Sequence, residues 1–186
     1  NKSLITVTGN TVVDALYWIL NKIEKNQERK KNIEIFLNNS LSFDWKRENF
    51  ILVTAHRREN FGKGLEQICL ALKELASKYP KVNFIYPVHL NPNVNKLVHE
   101  SLKGVPNIFL IKPLEYEPFI YLLNKCYFVL TDSGGIQEEA PSLGKPVLLL
   151  RNTTERPEAV EAGTVEIVGS NKKQIIKSVS RLLDNK

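Results

Sequence analysis

Six short apolar runs rich in β-branched residues punctuate the chain: Phe50–Thr54, Val82–Val88, Ile108–Ile111, Phe128–Thr131, Val147–Leu150 and Val165–Val168. Segments of helical period separate them, and that alternation is the mark of a parallel sheet with helices on both faces. Between the first two runs, Leu65, Ile68, Cys69, Leu72, Leu75 and Ala76 recur at three- and four-residue intervals, which gives one apolar stripe to lay on the sheet. Further helices are expected at Val94–Leu102, Pro118–Asn124, Ile136–Leu143 and Lys172–Leu183, with Pro80, Pro106, Pro113 and Gly144 marking the returns. Pro141 must shorten or bend the helix that contains it, since it removes an N–H and crowds the preceding turn.

A chain of 186 residues that is 42% hydrophobic can bury one full core, so a single domain over 1–186 is expected. It contains no Met, starts with Asn and enters at once a helical pattern at Val12, Val13, Leu16, Ile19, Leu20 and Ile23, so it reads as a piece of something longer. The formal charge of +6 raises the question of nucleic acid. The densest basic run, Lys22 to Lys31, is interleaved with Glu24 and Glu28 as on a solvated helix face, and no aromatic-interleaved basic strip accompanies it. Nucleic acid is therefore not an expected partner. Cys69 and Cys126 have neither metal-type nor redox-type spacing and read as reduced core residues, so no metal and no cofactor is expected. No charge-free apolar run approaches the roughly 18 to 20 residues of a membrane span, and no signal peptide opens the chain; the expectation is a cytoplasmic protein without a membrane partner.

In an open parallel sheet, ligands lie at the carboxyl ends of the strands. There the sequence puts His56, Arg57 and Arg58 after the first strand, His89 after the second, Lys112 to Phe119 after the third, Asp132-Ser133-Gly134-Gly135 after the fourth and Arg151 to Glu158 after the fifth. The fourth is the most informative, because a Ser-Gly-Gly turn opens directly into a helix, and Gly134, Gly135 and Ile136 can aim bare N–H groups at a phosphate. Ser133 can cap and donate, and Glu138 and Glu139 stand within two turns, where a carboxylate can grip a ribose diol. The competing reading of SGG is a helix cap after a tight turn. His56 can donate to a pyrophosphate or shuttle a proton, or else bond backbone; for His89 the structural and functional readings stand level, and His99 reads as a surface residue. Arg57 and Arg58 point to opposite sides if extended, so one of them faces the ligand. In the polar loop Thr154–Glu158, Arg156 is the cation to contact a phosphate or sugar, with a plain surface turn as the alternative.

Taken together, TAHRRENFGKGLEQI, YPVHLNPNV, DSGGIQEEAPSLGKPVL and RNTTERPEAVEAGT resemble the non-hydrolysing UDP-N-acetylglucosamine 2-epimerases, from Val7-Thr8-Gly9-Asn10-Thr11 to about residue 184. The resemblance implies a Rossmann-like domain, the carboxyl-terminal half of a two-domain glycosyltransferase-B-type enzyme whose active site lies between the halves, with the amino-terminal domain absent from this chain. It implies Ser133, Gly134 and Gly135 on the pyrophosphate, Glu139 on the ribose, backbone around Leu114 and Phe119 at the uracil, Arg156 on the substrate and His56 in catalysis. Relatives often carry a polar residue where this chain has Leu114, which leaves only a main-chain contact there. Arg57 and His89 match positions that bind a second UDP-N-acetylglucosamine as an allosteric activator.

The implied chemistry inverts C2 of the sugar by elimination of UDP and its re-addition after protonation from the other face. The carboxylates that move that proton belong to the absent domain, so the chain by itself is expected to bind UDP weakly and not to epimerise. Three other readings stay open: a UDP-sugar glycosyltransferase half, a hydrolysing epimerase half, and a non-catalytic nucleotide-sugar sensor. A homodimer of the full-length enzyme is also left open.

Overall fold

The computed structural model describes residues 4–6 and 9–184; Val7 and Thr8 lie outside them. Its elements run α1 (Thr11–Lys25), α2 (Gln27–Ser40), β1 (Phe50–Thr54), a single 3-10 turn (Arg58–Asn60), α3 (Lys63–Lys78), β2 (Asn83–Pro87), α4 (Pro92–Leu102), β3 (Ile108–Ile111) and α5 (Tyr116–Lys125). There follow β4 (Phe128–Thr131), α6 (Ile136–Ser142), β5 (Val147–Leu149), α7 (Pro157–Glu161), β6 (Val165–Ile167) and α8 (Lys172–Asp184).

All six strands are parallel, in the order β3-β2-β1-β4-β5-β6. The winding reverses between β1 and β4, and at such a switch point the following loops part to leave a crevice. The expected Rossmann-like sheet with helices on both faces is what forms. Its strands are apolar at nearly every position because both faces are covered. Ile51, Val53, Phe84, Tyr86, Phe128 and Leu130 pack toward α3, α4 and α8, while Phe50, Leu52, Ile85, Val129, Val147 and Leu149 pack toward α1, α2, α5 and α6.

Two features depart from the sequence-based expectation. The basic run Lys22 to Lys31 is not one helix, because Asn26 leaves helical geometry and its Oδ1 accepts from the Arg29 N–H at 2.9 Å, capping α2. The stretch after α2, with no periodic signal, contributes Trp45 to the core at 2% exposure, its indole N–H donating to Asn38 Oδ1 at 2.8 Å.

α6 is short for a local reason. Pro141 sits within it, and the chain turns out through Gly144, whose φ of +69° suits a residue without a Cβ. Ser142 Oγ donates to the Glu138 carbonyl at 2.8 Å near the helix end.

Candidate functional site

The crevice starts from the last pair of the β1–β4 ladder, where Thr54 and Thr131 share a hydroxyl–hydroxyl hydrogen bond of 2.6 Å. Thr131 Oγ1 also accepts from the Ser133 N–H at 3.0 Å, which folds the chain into the Ser-Gly-Gly turn. Ser133 does not cap α6. Gly135 occupies the capping position and brings no side-chain bond to it. The amides of Gly134, Gly135 and Ile136 make no hydrogen bond among the described residues. They are the unpaired donors of a helix start, and they carry the positive end of its dipole.

Arg57 and Arg58 separate here. Arg58 enters the 3-10 turn and is exposed, whereas Arg57 is half-buried, with Nη2 3.3 Å from where a Cβ on Gly134 would lie. The guanidinium beside the turn is therefore that of Arg57. The absence of a side chain at Gly134 is what leaves room for it.

His56 sits at the same edge, its Nδ1 3.5 Å from Asp132 Oδ1. Its ring stacks on that of His89, with centroids 5.2 Å apart and planes 11° from parallel. Burial holds the His56 pKa below the usual histidine value; the Asp132 charge opposes this, while His89 and Arg57 reinforce it. His89 is exposed, and its Nδ1 accepts from the Asn91 N–H at 3.0 Å.

The two glutamates of α6 are set in opposite electrostatic states. Glu139 is buried, and its Oε1 accepts from the Tyr116 hydroxyl at 3.0 Å. Desolvation pushes its carboxyl above the ordinary value, the Tyr116 bond works against that, and the Glu138 charge adds to it. Tyr116 itself is pushed up to about 12 by burial and by that carboxylate. Glu138 is lowered, first by the bond from Asn10 Nδ2 at 2.7 Å and then by Arg156, whose Nε donates to its Oε1. Arg156 Nη1 is engaged by the Glu155 carbonyl at 2.9 Å, so two of its donors are already committed.

Leu114 and Phe119 are half-buried against the core face below α5. The Phe119 amide donates to the Glu115 carbonyl at 3.1 Å, whereas Leu114 enters none of the backbone hydrogen bonds among the described residues. The open main-chain groups of this stretch include those of Leu114.

The sequence places Arg151 at the fifth strand edge but shows no partner for it, for Gln137 or for Tyr116. Gln137, 1% exposed, donates to the Ser133 carbonyl at 3.2 Å and receives the Thr154 hydroxyl, tying the glycine turn to the loop after β5. Arg151, buried, donates to Glu59 at 2.5 Å and to both Glu155 oxygens at 2.7 and 2.8 Å, joining the same loop to the 3-10 turn. A cavity of about 230 Å³ lies beside the Arg151–Glu59 pair, bordered by Asn60, Asn152 and Ser170. Tyr116 was passed over because an aromatic at a helix start carries no polar pattern. Another cavity, of about 420 Å³ beside Pro80, Gly104 and Pro106, is at the opposite edge of the sheet, away from every group named above. Among the described residues no cluster of His, Cys, Asp and Glu could hold a metal, and no helix is long and apolar enough to cross a membrane.

Comparison with known proteins agrees with this fold. A family described as UDP-N-acetylglucosamine 2-epimerase matches residues 1–186. The chain is 55% identical over 179 residues to the UDP-N-acetylglucosamine 2-epimerase of Yersinia pestis, covering 96% of this chain and 46% of that protein. With the Campylobacter jejuni protein of the same name it is 54% identical, covering 100% of this chain and 48% of the relative. It therefore spans about half the length of the curated relatives it matches. The Neisseria meningitidis UDP-GlcNAc 2-epimerase, solved bound to UDP-GlcNAc, superposes with a TM-score of 0.90 at 52% identity, over 99% of this chain and 48% of that one. A trehalose-phosphate synthase from Burkholderia xenovorans, 12% identical with a TM-score of 0.65, shares the fold alone. With a parallel sheet wound 3-2-1-4-5-6, a glycine turn at its switch point and a family match from end to end, the chain belongs to the UDP-N-acetylglucosamine 2-epimerase family.

Proposed function

We propose that this chain is the UDP-binding, carboxyl-terminal half of an isomerase that interconverts UDP-N-acetylglucosamine and its manno epimer in the cytoplasm. The observation that carries the reading is the convergence at the β1–β4 edge of three open amides, Gly134 to Ile136, with the Arg57 guanidinium and the buried carboxyl of Glu139. Anions are held by unpaired helix-start donors and by a planar cation, and a ribose diol is held by a carboxylate with two acceptor oxygens. The Neisseria protein bound to UDP-GlcNAc, and a Methanocaldococcus jannaschii relative solved with UDP-GlcNAc and UDP at 36% identity, support the choice of ligand.

In this reading each residue has a physical task. Elimination breaks the bond between C1 and the diphosphate oxygen, so negative charge accumulates on departing UDP; the amides of Gly134, Gly135 and Ile136 and the Arg57 guanidinium stabilise it most at that moment. His56 adds a donor to the same oxygens, or orients them. Ser133 supplies a hydroxyl to the pyrophosphate, Leu114 main-chain groups and the Phe119 region frame the uracil, and Arg156 reaches the sugar-phosphate. Arg57 and His89 are also the positions for a second, activating nucleotide sugar. The carboxylates for proton removal at C2 come from the amino-terminal half of the enzyme.

Calorimetry with UDP tests this on the chain itself. Loss of a charge-assisted ribose contact in Glu139→Ala weakens binding by about 1.5 to 3 kcal/mol, roughly 10- to 150-fold in Kd. An unchanged affinity removes Glu139 from the site.

A further inference from the structure

Asp132, the residue after β4, is fully buried, and its two oxygens are used unequally. Oδ2 accepts three hydrogen bonds, from the His56 N–H at 2.9 Å, the Arg57 N–H at 2.8 Å and Asn60 Nδ2 at 3.1 Å. Oδ1 accepts none, and it is the one buried side-chain nitrogen or oxygen without a hydrogen bond among the described residues. Opposite it, 3.5 Å away, is His56 Nδ1. A buried carboxylate oxygen keeps its desolvation penalty until a donor reaches it, and a slight turn of the imidazole brings Nδ1–H into hydrogen-bond range. The His89 ring, stacked 5.2 Å away, lies against one face of that imidazole and narrows the rotations open to it.

We propose that Asp132 is the positioning residue of His56: Oδ2 fixes the backbone from which the imidazole projects, and Oδ1 accepts from Nδ1–H, so that Nε2 is the ring nitrogen offered to the crevice. The inference rests on the reading of His56 as the group that meets the UDP-sugar and says which of its nitrogens does so. A carboxylate–imidazole pair of this kind sets tautomer and orientation without taking the proton. The charged and titratable groups around His56 are Asp132 from the β4 edge, His89 from the β2 edge and Arg57 from its own segment; of these, the Asp132 charge alone favours the imidazolium.

The test needs no nucleotide, so its outcome is separate from that of UDP binding. The chain has three histidines, and long-range proton–nitrogen spectra of the 15N-labelled protein, with His56→Gln for assignment, report which ring nitrogen carries the proton. In the wild type, His56 is expected as the Nδ1–H tautomer. Asp132→Asn keeps an oxygen for the three donors but turns an NH2 toward Nδ1, so the proton moves to Nε2 and the His56 pKa falls. A purely structural Asp132 leaves the tautomer unmoved, and the pKa then falls only through the lost charge. An Nε2–H tautomer in the wild type overturns the proposal even where the variant does not fold, and so does an unchanged tautomer in a folded Asp132→Asn.

Discussion

At the scale of single residues, Glu139 shows how a proposed binding group and a stable fold pull against each other. Its carboxyl is buried and its folded pKa is raised, chiefly by desolvation. A carboxyl whose folded pKa exceeds its unfolded one costs stability as pH rises from the unfolded value through the folded one, because the unfolded chain ionises there while the folded state still holds its proton. Glu139→Gln removes that penalty and keeps the Tyr116 hydrogen bond, so the urea midpoint at pH 7 rises while UDP affinity falls; a lower midpoint would contradict this. Glu138 has the opposite sign. Its folded pKa is depressed, so its bonds to Asn10 and Arg156 contribute fully above the unfolded value and are lost as pH falls through the folded one. Gly134 is constrained by space rather than by backbone, since it is not among the positive-φ glycines. Gly134→Ala therefore leaves thermal stability within about 0.5 kcal/mol. It displaces Arg57 and weakens UDP binding by about tenfold, the worth of one hydrogen bond to a charged group.

At the scale of elements, the loops at the strand ends are held by side chains distant in sequence. Arg151 joins the 3-10 turn at Glu59 to the loop at Glu155, and both carboxylates are about half exposed, so they rehydrate when the arginine is lost. Arg151→Met should cost about 1 to 3 kcal/mol in urea unfolding and speed hydrogen exchange at residues 152–156. Unchanged exchange there would show that the clamp is idle. The strands and the amphipathic helices were legible in the sequence because each carries a local signal: an apolar run of four or five residues, or an apolar stripe. The break at Asn26 was hidden within a charge pattern that continues across it. The role of Asp132 was not legible at all, since its donors lie 72 to 76 residues away and meet it only once β1 and β4 pair. The glycine turn itself was readable, but which of Arg57 and Arg58 faces it was not, because the 3-10 turn that separates them has no local sequence cue.

At the scale of the whole molecule, one sheet supplies what we propose is the nucleotide end of the site. The chain spans about half the length of its curated relatives, and the proposed reaction needs proton-transfer groups at C2 that we assign to an amino-terminal half. Purified alone, the chain is expected to bind UDP and to form no manno epimer; turnover comparable to an intact enzyme would mean that the proton carriers lie within these 186 residues. The central claim is that the amides at the start of α6 hold a diphosphate. It is tested most directly by titrating UDP into the 15N-labelled chain and following backbone amide shifts. The account predicts that Gly134, Gly135 and Ile136 move most, and that uridine without phosphates does not move them; shifts centred instead on the opposite edge, around Gly104 and Val105, would contradict it.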